Sequence, residues 1–273
     1  MSNRLDQWTE TFDVLYARWN RPHAAEGDPV RFPRAWDDPR DREVVALLAA
    51  SLSYGRVGQI LAGVRAALER LGERPARAVF DATPAKLARR MRGFRHRFAT
   101  GEHVAAMLCG AGRLVREHGS LGSAFAAGAS GRDETLHPAL RTFAARLDLA
   151  AGGACGHLLA DPSRRSACKR WWLMLRWLVR RDDVDPGGWD VCGPERLIIP
   201  LDTHMHRLGH AVGATSRRSA NLATAMDLTA AFRSVAPHDP TRYDFALTHA
   251  AIAGDADLPC GPTMMRQSKP DHA

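Results

Sequence analysis

The chain has 273 residues, enough for one large domain or two small ones, and 45% of them are hydrophobic, an ample stock for a core. Its net charge of +8 and pI of about 9.8 point to a polyanionic partner, nucleic acid before membrane, although a coding preference for Arg would give the same excess. Five scattered cysteines with no Cys-x-x-Cys pair argue against a zinc site or an iron–sulfur cluster and fit reduced thiols in a cytoplasm. There is no apolar signal core and no stretch long enough to span a bilayer.

In chain order, Leu5, Trp8, Phe12, Leu15 and Trp19 recur at helical spacing. A loop rich in Pro and Asp follows over 20–40. Asp41 then opens a helix over 42–54, and Gly55 stops it. A second helix over 57–71 completes a helical hairpin. The junction Ser53-Tyr54-Gly55-Arg56 places Tyr54, Arg56 and Gln59 near one exposed tip. A short helix over 84–92 runs into Arg89-Arg90-Met91-Arg92-Gly93-Phe94-Arg95-His96-Arg97-Phe98, the densest basic run of the chain. Its alternation with aromatics suits phosphate contacts and ring stacking, with Arg95 and Arg97 the readiest cations. Helical patterns continue over 102–118, 121–127 and 137–147. The last two helices span 219–235 and 243–252, and a polar tail, read as loose, begins at 254.

The stretch 163–180 reads as a helix with basic first turns, including Arg164 and Arg165, and an apolar body from Trp171 to Val179. Lys169 shares a face with Trp172, Leu173 and Arg176, where the basic start meets the buried body. Partial desolvation and the cations Arg165, Arg170 and Arg176 would favour the free amine that a nucleophile needs. The alternative is a lysine that extends to solvent. After a loop over 181–195 comes the only candidate strand, 196–201. It leads through Pro200 to Asp202, a good N-cap for a helix beginning at Thr203. There its carboxylate would sit at the positive end of the helix dipole. With no repeat and one weak strand, the chain reads as all-α.

The segment Leu201-Asp202-Thr203-His204-Met205-His206-Arg207-Leu208 resembles the Asp-Thr-His-x-x-Arg segment of helix-hairpin-helix DNA glycosylases of the endonuclease III type. Residues 45–53 resemble that superfamily's early helix, whose end supplies residues inserted into the DNA stack, and 244–247 its closing helix. The resemblance covers roughly 41–253, where the chain also looks like a bacterial family of uncharacterised proteins with the same segments. Four features depart from endonuclease III, among them the intercalating Gln of the early helix, replaced by Tyr54 or Gly55, and a longer spacing from Lys169 to Asp202. The stretch before Lys169 lacks the Leu-Pro-Gly-x-Gly hairpin, and the terminal cluster of four cysteines is absent. The spacing of 33 residues from Lys169 to Asp202 is closer to that of archaeal 8-oxoguanine glycosylases.

The resemblance implies two helical lobes, mainly 41–160 and 161–253, with a DNA-binding cleft between them. It implies a base-excision glycosylase acting on double-stranded DNA with a damaged base, an oxidised purine among the options, with AP-lyase activity through a Lys Schiff base. Lys169 and Asp202 would be catalytic. Tyr54, Arg56, Gln59, Arg95, Arg97, Arg164 and Arg165 would bind DNA, with Tyr54 plugging the gap left by the extruded base. No cofactor and no metal is implied, and the location would be the cytoplasm, on the nucleoid. Two other classes fit parts of the sequence. One is a helical DNA-binding protein without catalysis. The other is a metal-dependent hydrolase using His204-x-His206, although two histidines at i and i+2 suit a strand end and not a helix face.

Overall fold

The computed structural model describes residues 5–259, and these build an all-α fold. A 3-10 turn at Asp6–Trp8 leads into α1 (Thr9–Trp19). The proline-rich stretch expected to be loop holds two one-turn helices, α2 (Pro22–Ala25) and α3 (Arg31–Arg34). Pro22 supplies the first residue of α2, where a missing N–H costs nothing.

The helical hairpin consists of α4 (Pro39–Leu52) and α5 (Val57–Leu71). Asp38, and not Asp41, caps α4: it accepts the Arg40 N–H at 2.8 Å and the Asp41 N–H at 3.3 Å. Asp41 is buried instead and accepts the Ala76 N–H at 2.7 Å, which docks the next helix, α6 (Pro75–Phe80), onto α4. Then come α7 (Pro84–Arg90) and a two-residue ladder, β1 (Arg95–His96) with β2 (Ala99–Thr100). Three helices follow, α8 (Gly101–His118), α9 (Leu121–Ala126) and α10 (His137–Ala150), and then α11 (Lys169–Val179), α12 (Thr203–Ala211), α13 (Leu222–Val235) and α14 (Asp244–Ala253).

The packing falls into two groups. In the first, α6, α7, α9 and α10 surround α8, and α4 packs on α3, α5 and α6. In the second, α1 lies against α14, which also receives α12. The N-terminal helix therefore belongs with the C-terminal helices. Helix α11 packs on α4, and one continuous hydrophobic cluster runs through both groups. Among the described residues, no helix is long and apolar enough to cross a membrane.

Three expectations are corrected. First, 196–201 is no strand. Leu197, Ile198 and Ile199 are fully buried without a sheet partner. Their surroundings supply the hydrogen bonds that a ladder would give: the Ile199 N–H donates to Thr229 Oγ1 at 3.0 Å, and the Arg196 carbonyl accepts from Leu136 N–H at 2.9 Å. Second, the helix expected from 163 begins at Lys169, after Cys168 in the left-handed region (φ 50°), so Arg164 and Arg165 lie in the preceding loop. Third, residues 254–259 are anchored: Asp255 accepts from Arg18 at 2.8 Å and from Trp19 Nε1 at 2.7 Å, and Leu258 is buried. The rest of the expected loose tail, with Cys260, lies outside the described residues.

The reassigned cap makes a stability test. Asp38→Ala removes a partly exposed cap and is expected to cost about 1 kcal/mol. Asp41→Ala strands the Ala76 N–H in the interior and is expected to cost more, about 1–3 kcal/mol. Urea unfolding of the two variants compares them directly, and equal or reversed costs would contradict the assignment.

Candidate functional site

Two polar side chains 33 residues apart in sequence meet where two helices begin: Lys169 Nζ donates to Asp202 Oδ2 at 3.4 Å. Asp202 caps α12 as its position after Pro200 suggests, with extended backbone and its other oxygen, Oδ1, accepting the Met205 N–H at 2.8 Å. The buried run 197–201 fixes its approach, because each of those residues is held in the core. Lys169 is the first residue of α11. A cation at that end of a helix opposes the dipole, and the Asp202 carboxylate offsets the conflict. The Asp202 side chain is 15% exposed and that of Lys169 38%, so the pair is held firmly yet remains open to a reactant. The chain has 38 basic residues but only three lysines, Lys86, Lys169 and Lys269. A guanidinium stays protonated and cannot attack carbon, whereas an amine can.

Behind the pair lies a buried network of charges. Arg176 pairs with Asp244 and, at 3.3 Å, with Asp185. Arg180, one turn on, pairs with Asp185, with Asp239 at 2.7 Å and with Asp182 at 2.8 Å. Tyr16 of α1 donates to Asp182 at 3.1 Å. Burial opposes the charge of both arginines, yet the aspartates, Asp185 foremost, hold their pKa values up. Burial also pushes the Asp244 carboxyl up to about 6, against the pull of Arg176, and the charge of Asp202 acts in the same direction as burial. Asp244 is thus the member of the network that reaches the pair electrostatically. Arg176, one of the cations expected to act on Lys169, is fully engaged with carboxylates.

The α4–α5 junction forms a second cluster next to α11. Arg170 follows Lys169 and places its guanidinium over the Tyr54 ring, 5.2 Å from the centroid, while donating to the Ser51 carbonyl at 2.6 Å. The Tyr54 hydroxyl donates to the His96 carbonyl at 2.9 Å and lies 2.8 Å from His157 Nε2, which then acts as the donor to it. Burial, followed by the neighbouring charge of Arg170, lowers the His157 pKa and favours the neutral ring. Tyr54 is therefore held on several sides rather than projecting from the turn as an unattached plug. Gly55 has φ +99°, and a Cβ there would lie 2.5 Å from the Arg97 guanidinium, so glycine lets the basic hairpin close onto the turn. At the hairpin tip Phe98 is 71% exposed, with Arg97 5.6 Å over its ring and His157 edge-on at 6.0 Å.

Thus Lys169 and Asp202 come together, and Tyr54 and Arg97 come together beside them. Arg56, Gln59 and Arg95 are exposed on the same junction and hairpin, and Arg164 and Arg165 are exposed in the loop before α11. Arg164 is paired with Asp161 at 3.4 Å. A groove of about 1000 Å³ between α10 and 156–164 is lined by Arg141, Asp148 and Arg164 but not by the Lys169–Asp202 pair. The sequence reading did not single out His157, Phe98 or Asp244 as site residues, and gave Arg170 only as a charge. Phe98 stands within the basic–aromatic run and Asp244 opens the 244–247 segment that resembles a closing helix, but nothing local marks His157. His204 and His206 lie inside α12, where residues two apart point to different sides.

A family model described as protein of unknown function (DUF2400) matches residues 28–253. No curated protein and no solved structure matches the chain.

The Asp244 carboxyl predicts a pH signature. Its folded pKa lies above the ordinary carboxylate value, so between about pH 4 and 6 the native state holds more protons than the unfolded chain. Its contribution to stability therefore falls as pH rises through that window and is lost above it. The Asp244→Asn variant lacks this titration. Urea unfolding at several pH values is expected to show wild type losing stability relative to Asp244→Asn from pH 4 to 6. A pH-independent difference would contradict the assignment.

Proposed function

The chain belongs to the DUF2400 family, and we propose that it is a DNA glycosylase that excises a damaged base, with Lys169 as nucleophile and Asp202 as its charged partner. The observation that carries this reading is the 3.4 Å approach of a scarce lysine to a helix-capping aspartate at a partly exposed position. The resemblance of 201–208 to the Asp-Thr-His-x-x-Arg segment of helix-hairpin-helix glycosylases supports it.

The chemistry runs as follows. The target nucleotide leaves the stack. Lys169, its proton lost to water so that Asp202 keeps its charge, attacks C1′ through its lone pair. The bond from C1′ to the base nitrogen breaks, and the base leaves with the bonding pair and takes up a proton. The Asp202 carboxylate stabilises positive charge on the sugar as that bond breaks. Nζ then gives up a proton and supplies its pair to C1′, the C1′–O4′ bond breaks with its pair going to O4′, which takes up a proton, and a protonated Schiff base between Nζ and C1′ remains. Loss of a proton from C2′ then expels the 3′ phosphate by β-elimination, and hydrolysis frees the amine. This is the AP-lyase branch. Arg56, Arg95, Arg97, Arg164 and Arg165 provide exposed cations for the phosphates.

The same exposed arginines would also serve a DNA-binding protein without catalysis, and base release separates the two readings. Duplexes with single lesions, oxidised purines first, are incubated with the protein and the released base is measured. Release is expected from wild type, with Asp202→Asn about 100-fold slower or worse but still binding DNA. Duplex affinity is expected to fall steeply with salt as phosphate contacts release counterions. Salt-dependent binding without release of any base would leave the non-catalytic reading.

A further inference from the structure

Another group of donor atoms lies further along α12 from Asp202. His206 and His210 are one turn apart on one helix face, with Nε2 atoms 3.3 Å from each other. Both nitrogens also face the carbonyl oxygen of Arg217, at 2.8 Å and 2.9 Å. That carbonyl is fixed from behind. The Arg217 side chain turns away to Asp227 at 2.7 Å, Thr215 Oγ1 donates to the same carboxylate at 2.9 Å, and the Arg217 N–H donates to Thr215 Oγ1 at 3.2 Å.

We propose that His206 Nε2, His210 Nε2 and the Arg217 carbonyl bind one divalent transition-metal ion of zinc type, which staples the segment after α12 to that helix. Three atoms with these separations lie on a circle about 1.75 Å in radius, so a point about 1 Å above their plane is about 2.05 Å from each, a Zn–N or Zn–O bond length. With such bonds the N–metal–N angle is about 107° and the two N–metal–O angles are about 90°, which suits a five- or six-coordinate ion completed by water. One point therefore lies within bonding distance of all three atoms.

Imidazole donors select zinc, nickel or copper over the all-oxygen preferences of calcium and magnesium. Among the described residues no three His, Cys, Asp or Glu side chains converge on such a site, and here the third donor is main chain. His210 is exposed and His206 half-buried, so an ion has access. Coordination requires each Nε2 proton to move to Nδ1, with the bonds to the Arg217 carbonyl replaced by bonds to the metal. The site is independent of base excision, because Lys169 and Asp202 take no part in it.

The test uses the untagged full chain, titrated with Co²⁺ and followed by absorbance, with Zn²⁺ as competitor and in thermal melts. One equivalent of Co²⁺ is expected, with weak ligand-field bands, no thiolate charge-transfer band and displacement by Zn²⁺. His206→Ala and His210→Gln are each expected to weaken binding by at least ~10-fold, the minimum for losing a supporting group at a metal site. His210→Gln keeps an N–H for the Arg217 carbonyl, so its metal-free melting temperature is expected to match wild type. Zn²⁺ is expected to raise the melting temperature of wild type more than that of either variant. No stoichiometric binding, a thiolate band, or equal binding by wild type and both variants would overturn the proposal.

Discussion

Arg176 in α11 and Arg180, one turn on at the helix C-cap, are almost wholly buried, and neither can be left uncompensated. Removing one partner of such a pair costs about 3–5 kcal/mol because the other charge stays buried. Their carboxylates come from the loop after α11 (Asp182, Asp185), from the turn before α14 (Asp239) and from the first residue of α14 (Asp244). Satisfying two guanidiniums therefore specifies how α11, that loop and α14 sit together. Tyr16 brings α1 into the same network through Asp182. The apolar body of α11 supplies the burial, and the charges set orientation within it.

This constraint positions the candidate site. With α11 fixed at one end by its arginines, Lys169 at the other end has a defined place. Helix α12 packs on α14, the helix that carries Asp244, so Asp202 is referred to the same frame. The 3.4 Å contact is thus held by groups that do not touch a reactant. Arg170 extends the arrangement toward the α4–α5 junction: it joins the start of α11 to the Ser51 carbonyl in the last turn of α4 and covers Tyr54. The exposed tip with Phe98 and Arg97 sits beyond it.

Much of this was legible in the sequence where the governing interaction is local. The apolar spacing of α5 and α8 and the cap at Asp202 depend on near neighbours and are legible, whereas α4 ends at Leu52 with Ser53 as its C-cap, before the expected stop at Gly55. The failures share a physical cause. Nothing near Cys168 marks a left-handed residue, so the basic stretch before it read as helix. The run 196–201 is apolar enough for a strand, but its hydrogen bonds go to Thr229 and Leu136, which the run itself cannot reveal. The cap at Asp38 was missed because Asp41 looks equally suitable until the distant Ala76 N–H is seen to claim it. Tyr54 read as a free tip because its partners come from His96, His157 and Arg170.

The proposed role of Lys169 as nucleophile is open to direct chemical trapping. Sodium borohydride reduces a Schiff base between protein and an abasic or lesion-bearing duplex to a stable amine, and peptide mass spectrometry then locates the linked residue. The scarcity of lysine makes the assignment clean, since Lys86 is exposed on α7 and Lys269 lies outside the described residues. The account predicts a covalent DNA adduct on the peptide containing Lys169, lost in Lys169→Ala while salt-dependent DNA binding persists. An adduct on Lys86, Lys269 or the N-terminal amine, or equal trapping by Lys169→Ala, would contradict it.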